Sequence, residues 1–318
     1  MIEFNQVSKQ YKDGTHAVES LDITIRDGEF FVLIGPSGCG KTTTLKLINR
    51  LIRASSGSIL IDGKDISEYE IHELRWNIGY VLQQIALFPH MTIEENISVV
   101  PELKKWSKAK TSNRVDELLE MVGLEPSIYR RRKPKELSGG QQQRIGVARA
   151  LAADPRLILM DEPFSALDPI SREKLQDDVL ELQRRINKTI VFVTHDMKEA
   201  LKLGDRICIM KDGKVVQIGT PEEIMHHPAN DFVRDFVGQQ NDILNELSLE
   251  EILSPIQISQ QKPPSIPLNA PLKTILAMLA EHEQIQMEKE GAAIGVLDRQ
   301  LLLQYMSRSL AEGGRNHE

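Results

Sequence analysis

The chain lacks most of what would commit it to the cell exterior, the bilayer or a nucleic acid. Its 318 residues hold two cysteines, Cys39 and Cys208. That is too few for a disulfide framework, and a reducing cytosol is the simpler context. Apolar runs such as Phe30–Ile34 fall far short of the ~18 residues needed to cross a bilayer. The start, MIEFNQVSKQ, has no apolar stretch behind basic residues, so no secretory signal is read there. Positive charge is in deficit, with 39 Lys+Arg against 46 Asp+Glu and a net charge of −7. A nucleic-acid partner is not expected, because the basic field that would attract one is missing. No repeat of about 20–50 residues stands out, which sets aside solenoids and propellers. What is present, 41% hydrophobic and 27% charged residues, suits one large globular domain with an appendage, or two domains.

The apolar pattern gives the fold class. Leu21, Ile23 and Ile25 alternate with Asp22 and Thr24, as on a half-exposed strand. Glu29–Ile34, Leu157–Met160 and Thr189–Thr194 are near-continuous apolar runs, the mark of strands buried on both faces of a parallel sheet. Between the last two, Leu175, Val179, Leu182 and Ile186 recur at helical spacing. Asp168-Pro169 opens that helix with a capping side chain and a first-turn proline. Buried strands alternating with amphipathic helices predict an α/β fold. Asp212-Gly213 predicts a hairpin between Arg206–Met210 and Lys214–Ile218. Thr220-Pro-Glu-Glu223 predicts a capped helix start. Ile85 to Glu136 has no β-rich run and repeats Val115, Leu118, Leu119 and Val122 at helical intervals, so it reads as a helical insertion.

After about Gly238 the composition changes. Five of the chain's 15 prolines fall between Pro255 and Pro271, a linker or the loop-rich start of a second unit. Beyond it the pattern predicts a helix over Leu272–Lys289, a strand over Ala292–Leu297 and a helix over Leu301–Leu310. That is too little chain to bury a good core alone.

Three stretches carry chemistry. Gly35-Pro36-Ser37-Gly38-Cys39-Gly40-Lys41-Thr42 fits G-x-x-x-x-G-K-[ST] and stands between a buried strand and a helix. Its glycines let backbone N–H groups curl around phosphates at a helix N-terminus. Lys41 would reach the β- and γ-phosphates, and the Thr42 hydroxyl would ligate Mg²⁺. Cys39 reads as a small residue tolerated inside the loop. Asp161-Glu162 follows the apolar run from Leu157. An acid there is costly to desolvate without a cation, so Asp161 is assigned to Mg²⁺ and Glu162 to the attacking water. Leu137-Ser138-Gly139-Gly140-Gln141 offers a second anion-binding helix start: a hydroxyl, unobstructed N–H groups and the positive end of a helix.

Taken in order, these stretches resemble the ATP-binding subunits of ABC transporters. The likeness adds Gln83 of the Q-loop, Ser165-Ala-Leu-Asp168 of the D-loop and the switch His195 to the signature Ser138–Gln141. It runs from Tyr11 to His195, and similar sequence continues to about Gly238. It implies a P-loop cassette over 1–238: a mainly parallel sheet, an antiparallel β subdomain and a helical insertion at about 85–140. It implies that Tyr11 stacks on adenine and that Gly35, Pro36, Ser37, Gly38, Cys39, Gly40, Lys41, Thr42 and Thr43 hold ATP. Thr42, Gln83 and Asp161 would ligate Mg²⁺, while Glu162, Gln83 and His195 would act on the water and the γ-phosphate. ATP would be sandwiched between Lys41 of one subunit and Ser138, Gly139, Gly140 and Gln141 of another, in a head-to-tail homodimer.

The wording GPSGCGKTTTLKLINRL, together with Leu87-Phe-Pro-His-Met-Thr92, resembles importer cassettes, above all those for glycine betaine, carnitine and choline. That implies an ATP-hydrolysing motor at the cytoplasmic face of the membrane, bound to a separate permease and served indirectly by an extracellular binding protein. Such chains also tend to carry a C-terminal regulatory extension, and about Leu244 to Leu310 partly resembles a CBS unit. Residues 239–318 are therefore expected to regulate or to dimerise. Asp298 and Leu301 stand where the CBS pattern has Thr and Asp, which favours dimerisation over a nucleotide regulator. The alternatives are an importer ATPase for another small solute and a non-transport ABC ATPase. Fewer than about 100 residues separate phosphate loop and signature, which leaves no room for the coiled coil of DNA-repair members. Translation-type members usually have two cassettes, and this chain has one. Arg130-Arg-Arg-Lys133 reads as a solvated loop before the signature, with a contact to lipid headgroups or a partner as the alternative.

Overall fold

The computed structural model describes residues 1–165, 167–186, 188–241, 253–254, 263–268, 270, 272–289 and 292–302. The chain divides into two compact units, Met1–Val237 and Gly238–Glu318. In the first, β1 (Ile2–Gln10) and β2 (His16–Ile25) form a hairpin, followed by β3 (Phe30–Ile34), α1 (Lys41–Ile48), β4 (Ser56–Ile61), β5 (Lys64–Asp65), α2 (Ile71–Trp76) and β6 (Ile78–Val81). Four helices then follow without a strand: α3 (Ile93–Leu103), α4 (Lys108–Met121), α5 (Pro126–Tyr129) and α6 (Gly139–Leu151). The chain returns to the sheet through β7 (Leu157–Asp161), α7 (Pro169–Ile186), β8 (Thr189–Thr194), α8 (Met197–Leu203), β9 (Arg206–Lys211) and β10 (Lys214–Gly219). It continues into α9 (Pro221–His226) and α10 (Asp231–Asn241).

The central sheet has the order β10-β9-β3-β8-β7-β6, parallel except for the edge hairpin β9–β10. Every residue of β3, β7 and β8 is buried, because each is an interior strand covered on both faces. Alternate side chains divide between two cores. Phe30, Val32 and Ile34 face the same way as Ile158, Met160 and Phe192, and pack with Leu118, Leu119 and Ile145 of the helical insertion. Phe31 and Leu33 face the other way with Leu159, Val191 and Cys208, against Leu45 and Ile48 of α1 and the antiparallel sheet β2-β1-β4-β5. Leu21, Ile23 and Ile25 are buried while Asp22 and Thr24 are exposed, as the alternation requires. Asp168 Oδ1 accepts from Ser171 N at 3.0 Å, and Thr220 forms a capping box with Glu223 ahead of Pro221. Asp212 and Gly213 both take positive φ, the geometry of a tight hairpin turn.

Arg130 departs from the solvated-loop reading. Its guanidinium bonds Asp116 at 2.8 and 2.9 Å, Glu94 at 2.5 Å and Ser112 at 2.7 Å. It is a tie between α3 and α4, and the two acids hold it firmly protonated.

The second unit is described by itself. It holds β11 (Ser265–Pro267), α11 (Leu272–Glu281), β12 (Gln284–Lys289) and β13 (Ala292–Asp298). Strand order is β11-β12-β13, around a small cluster of Ile266, Ile275, Leu279, Ile285, Met287, Leu297 and Leu302. The helix expected to reach Lys289 ends at Glu281. Ile285 and Met287 alternate with Gln284, Gln286 and Glu288, and the segment pairs with strands on both sides. A strand thus lies inside the proline-rich stretch as well, at Ser265–Pro267. Helical geometry resumes at Arg299, capped by Asp298, which accepts from Gln300 N and Leu301 N. Residues 303–310 of the last expected helix lie outside the described residues.

Candidate functional site

The sheet's topology delivers the phosphate loop and the acid pair to one edge. β3 and β7 both flank β8 in parallel register, so their C-terminal ends, Ile34 and Asp161, open on the same side, where ligands of open α/β sheets bind. Gly35 leaves β3 with φ 154°, and Gly38 and Gly40 take φ 81° and 101°. A side chain on Gly35 would strike the Met210 carbonyl of β9, and one on Gly40 the Ala17 carbonyl of β2. Only glycine fits at either place, and the loop closes on itself. Lys41 is buried, and its Nζ donates to the carbonyls of Gly35 at 2.7 Å and Pro36 at 3.0 Å. The ammonium is thereby held over the loop that would cradle phosphate. Cys39 is buried beside it, and burial pushes its thiol up, away from reactivity. Cys39 and Cys208 are both free thiols.

Thr42 Oγ1 donates to Asp161 Oδ1 at 2.8 Å. Burial, helped by the neighbouring Glu162 charge, holds the Asp161 carboxyl above its usual range, against the pull of Thr42 and Lys46. A desolvated carboxylate paired with a hydroxyl is a fit for a divalent cation. Among the described residues no group of three His, Cys, Asp or Glu could hold a metal unaided. One carboxylate plus a hydroxyl suits Mg²⁺, which takes its remaining ligands from substrate phosphates and water.

Glu162 stands next along the chain with φ 44°, a strained backbone for a residue with a side chain. Its N–H donates to Val193 O at 3.0 Å, and Ser165 Oγ donates to its carbonyl at 3.0 Å. The same carboxylate oxygen, Oε2, accepts from Gln83 Nε2 at 3.2 Å and lies 3.1 Å from His195 Nδ1. Gln83, Glu162 and His195, from three separate strand ends, therefore meet at one atom. Tyr80, on β6, has its phenol pushed up by burial and by the Asp161 charge. Sequence reasoning missed it, because an aromatic on a strand gives no sign of which acid it will adjoin.

Tyr11 follows β1, is 40% exposed and has Lys9 Nζ 5.3 Å from its ring centroid. It belongs to the hairpin whose second strand abuts Gly40. Ser138 and Gly139 are exposed at the start of α6. Ser138 Oγ accepts from Gln141 N at 3.3 Å, Gln141 Oε1 accepts from Ser138 N at 3.0 Å, and Gln141 Nε2 donates to Tyr129 Oη at 3.0 Å. Space around Gly139 is open. Gly140 packs near Ser171 and Leu167, one turn and one residue from Asp168. No described hydrogen bond joins this signature to the Lys41–Glu162 group.

The family described as ABC transporter matches residues 18–165. The glycine betaine/carnitine/choline transport ATP-binding protein OpuCA of Bacillus subtilis is 53% identical over 308 residues, covering 95% of this chain and 77% of that protein. The osmoprotectant import ATP-binding protein OsmV of Salmonella typhimurium is 51% identical, over 85% of this chain and 72% of that protein. Among solved structures, the dimeric ATP-binding cassette MJ0796 bound to ADP and Pi superposes with a TM-score of 0.63 at 37% identity. It covers 70% of this chain and 99% of that one. The likeness extends through the phosphate loop and acid pair whose geometry is given above: the chain belongs to the ATP-binding proteins of ABC transporters and is an ABC-type ATPase.

Proposed function

We propose that the chain is the ATP-hydrolysing motor of an importer for quaternary amines such as glycine betaine, carnitine or choline. One observation carries the catalytic part: Glu162 Oε2 is shared by Gln83 and His195 beside the Thr42–Asp161 pair. In this reading Glu162 takes the proton of an attacking water, Gln83 orients that water and His195 holds the γ-phosphate. Lys41 and the N–H groups of Gly35–Thr43 bind the phosphate chain, and Tyr11 stacks on adenine. Thr42, Asp161 and Gln83 would hold Mg²⁺, which when bound neutralises phosphate charge. The open, exposed signature at Ser138–Gln141 supports a head-to-tail homodimer in which each signature completes the partner's site, with Asp168 at the join. The MJ0796 cassette structures are dimeric, which supports pairing of two such chains.

No described helix is long and apolar enough to cross a membrane, so a separate permease would supply the pathway. Leu82 and Phe88, exposed on either side of Gln83, suit contact with such a subunit at the cytoplasmic face. An extracellular binding protein would then act only indirectly. Residues 1–238 form the cassette, and 239–318 a CBS-like segment that dimerises or regulates. Names of relatives carry the substrate: OpuCA, OsmV and the choline transport protein OpuBA of Bacillus subtilis at 49% identity. A polyamine importer is the second reading, since a spermidine/putrescine import ATP-binding protein is 43% identical. The test is uptake of labelled glycine betaine, choline, carnitine and spermidine before and after deletion of this chain. Loss of any of the first three supports the proposal. Loss of spermidine uptake alone overturns it.

A further inference from the structure

Behind His195 lies a buried acid that the ATPase mechanism does not use. Glu199, on α8, is 6% exposed. Its two oxygens serve two different elements. Oε2 accepts from Thr194 Oγ1 at 2.6 Å, at the end of β8 directly before His195. Oε1 accepts from Gln176 Nε2 at 3.3 Å, on α7. One turn earlier on α7, Arg172, whose charge favours the ionised Glu199 carboxyl without pairing with it, donates from Nη2 to the Leu167 carbonyl at 3.1 Å. Arg172 N–H also donates to the Asp168 carbonyl at 2.9 Å. Arg172 Nε is buried and makes no hydrogen bond, although the residue as a whole is half-buried.

An acid taken out of water destabilises the fold unless its partners restore what it lost. Burial does hold the Glu199 carboxyl above its ordinary range, with Asp196 adding repulsion and Thr194, Arg172 and Gln176 opposing it. A core position flanked by Ala200 and Leu203 would be filled more cheaply by leucine or methionine if packing were the sole demand. What the acid adds is a defined spacing between two segments far apart in sequence, both of which border the site.

We infer that Glu199 is a positioning residue that locks the Leu167–Asp168 loop to the Thr194–His195 strand end, so that the two move as one. Here the inference rests on the ATPase reading above. When Asp168 is engaged across a dimer interface, the displacement passes along the first turns of α7 to Gln176, through Glu199 to Thr194, and so to His195 against Glu162. A loose link would leave ATP binding intact and spoil only the alignment needed for turnover, because Lys41 and its loop belong to other elements.

The experiment uses the full chain with Glu199→Gln and, separately, Thr194→Val. Glutamine keeps the shape but removes the charge facing Arg172 and one of the two acceptor oxygens. Valine removes the hydroxyl on the β8 side, and with it the bond that the hydroxyl accepts from Asp196 N at 3.0 Å. Expected are a fall in kcat of about 10–100-fold, the range of small misplacements at an active site, and an ATP KM within about twofold of the parent. Amide exchange over Leu167–Gln176 should quicken in Thr194→Val, although the substitution lies on another element. A Glu199→Gln chain with parent kcat would overturn the inference. So would a parallel loss of kcat, ATP binding and melting temperature, which marks a plain structural staple. If the parent itself hydrolyses no ATP, the ATPase reading fails instead. Exchange over Leu167–Gln176 then decides this inference alone, parent-like rates in Thr194→Val counting against it.

Discussion

Two helix starts in the cassette offer the same anion-binding chemistry in opposite settings. At α1 the first residue is a buried lysine, Gly40 takes φ 101°, and no side chain caps the helix. Its N–H groups face a loop closed by the carbonyls of Ala17 and Met210 on the far side. At α6 the helix is capped by its own Ser138 and Gln141, and Ser138 and Gly139 stand exposed. No described cation adjoins this second start by a hydrogen bond. Helix ends of equal dipole thus differ in everything else, and the difference shows that a helix N-terminus becomes a nucleotide site only when walls surround it. The α1 start has its walls from one chain. The α6 start has only a floor, and under the proposed head-to-tail pairing a second chain would bring the rest.

The sharpest way to break this contrast is at Glu162, the carboxylate proposed to make the α1 side catalytic. Glu162→Gln keeps the shape and the contacts to Gln83 and His195 but cannot accept a proton. Turnover should fall by roughly 10²–10⁴-fold, while ATP binding persists and the closed dimer accumulates. Hydrolysis near the parent rate would remove Glu162 from its assigned role.

A second experiment asks whether the two starts act on one nucleotide. Lys41→Ala should abolish ATP binding by its own chain. Ser138→Arg should leave binding intact and block only the closure onto a partner, since the exposed start has no room for an arginine once covered. Mixed, the two variants form heterodimers with one competent composite site, and part of the activity should return in proportion to heterodimer fraction. A rate equal to the sum of two inactive parents, with heterodimers present, would separate the sites.

How much of this was legible beforehand follows from sequence distance. The phosphate loop is contiguous, so Gly35–Thr42 carried its own geometry, and Asp161-Glu162 was marked by two acids ending a buried strand. The meeting of Gln83 and His195 on Glu162 came only through the family resemblance, since 79 and 33 residues separate them from it. Arg130 was misread because its partners Glu94 and Asp116 lie 36 and 14 residues away. Lys289 was placed in a helix because the cross-strand partners that hold Gln284–Lys289 extended are invisible to local periodicity. Glu199 carries no motif and no sequence signal of its own. Its burial depends on Thr194 and Gln176, which only the packed sheet brings near.

A smaller effect concerns stability, and here the two starts should respond with opposite sign. The fold holds the Asp161 carboxyl above its usual range, chiefly through burial. Its folded pKa therefore exceeds the unfolded one, and the favourable contribution of the neutral form is complete at low pH. It is lost as pH rises through the folded value. Asp161→Asn, which can still accept from Thr42, should raise the melting temperature at pH 7 without nucleotide and lose that advantage below about pH 4. Ser138→Ala removes a cap and should lower stability by about 1 kcal/mol. Scanning calorimetry of both variants at two pH values checks the pair. A lower melting temperature for Asp161→Asn at pH 7 would mean that the buried charge is stabilised by its surroundings, and the cation argument would weaken.

The smallest expected effect is on ATP chemistry when the second unit is removed. Both helix starts, and every residue assigned to ATP, lie before Val237. The second unit has its own cluster of seven buried apolar side chains, a core that a partner surface would usefully extend. A chain ending at Gln239 should therefore bind ATP with the parent affinity and hydrolyse it when joined to its permease. What should change is dimer affinity, measured by sedimentation across a concentration series. A nucleotide regulator is the competing role. Asp298, however, already caps the helical turn at Arg299 through Gln300 N and Leu301 N, and Leu301 offers no carboxylate for a ribose. Titrating the full chain with adenine dinucleotides by calorimetry should therefore give no saturable heat beyond that of the truncated chain. Tight binding unique to the full chain would reverse the assignment to ligand sensing, and loss of ATP binding on truncation would undo the division of labour between the two units.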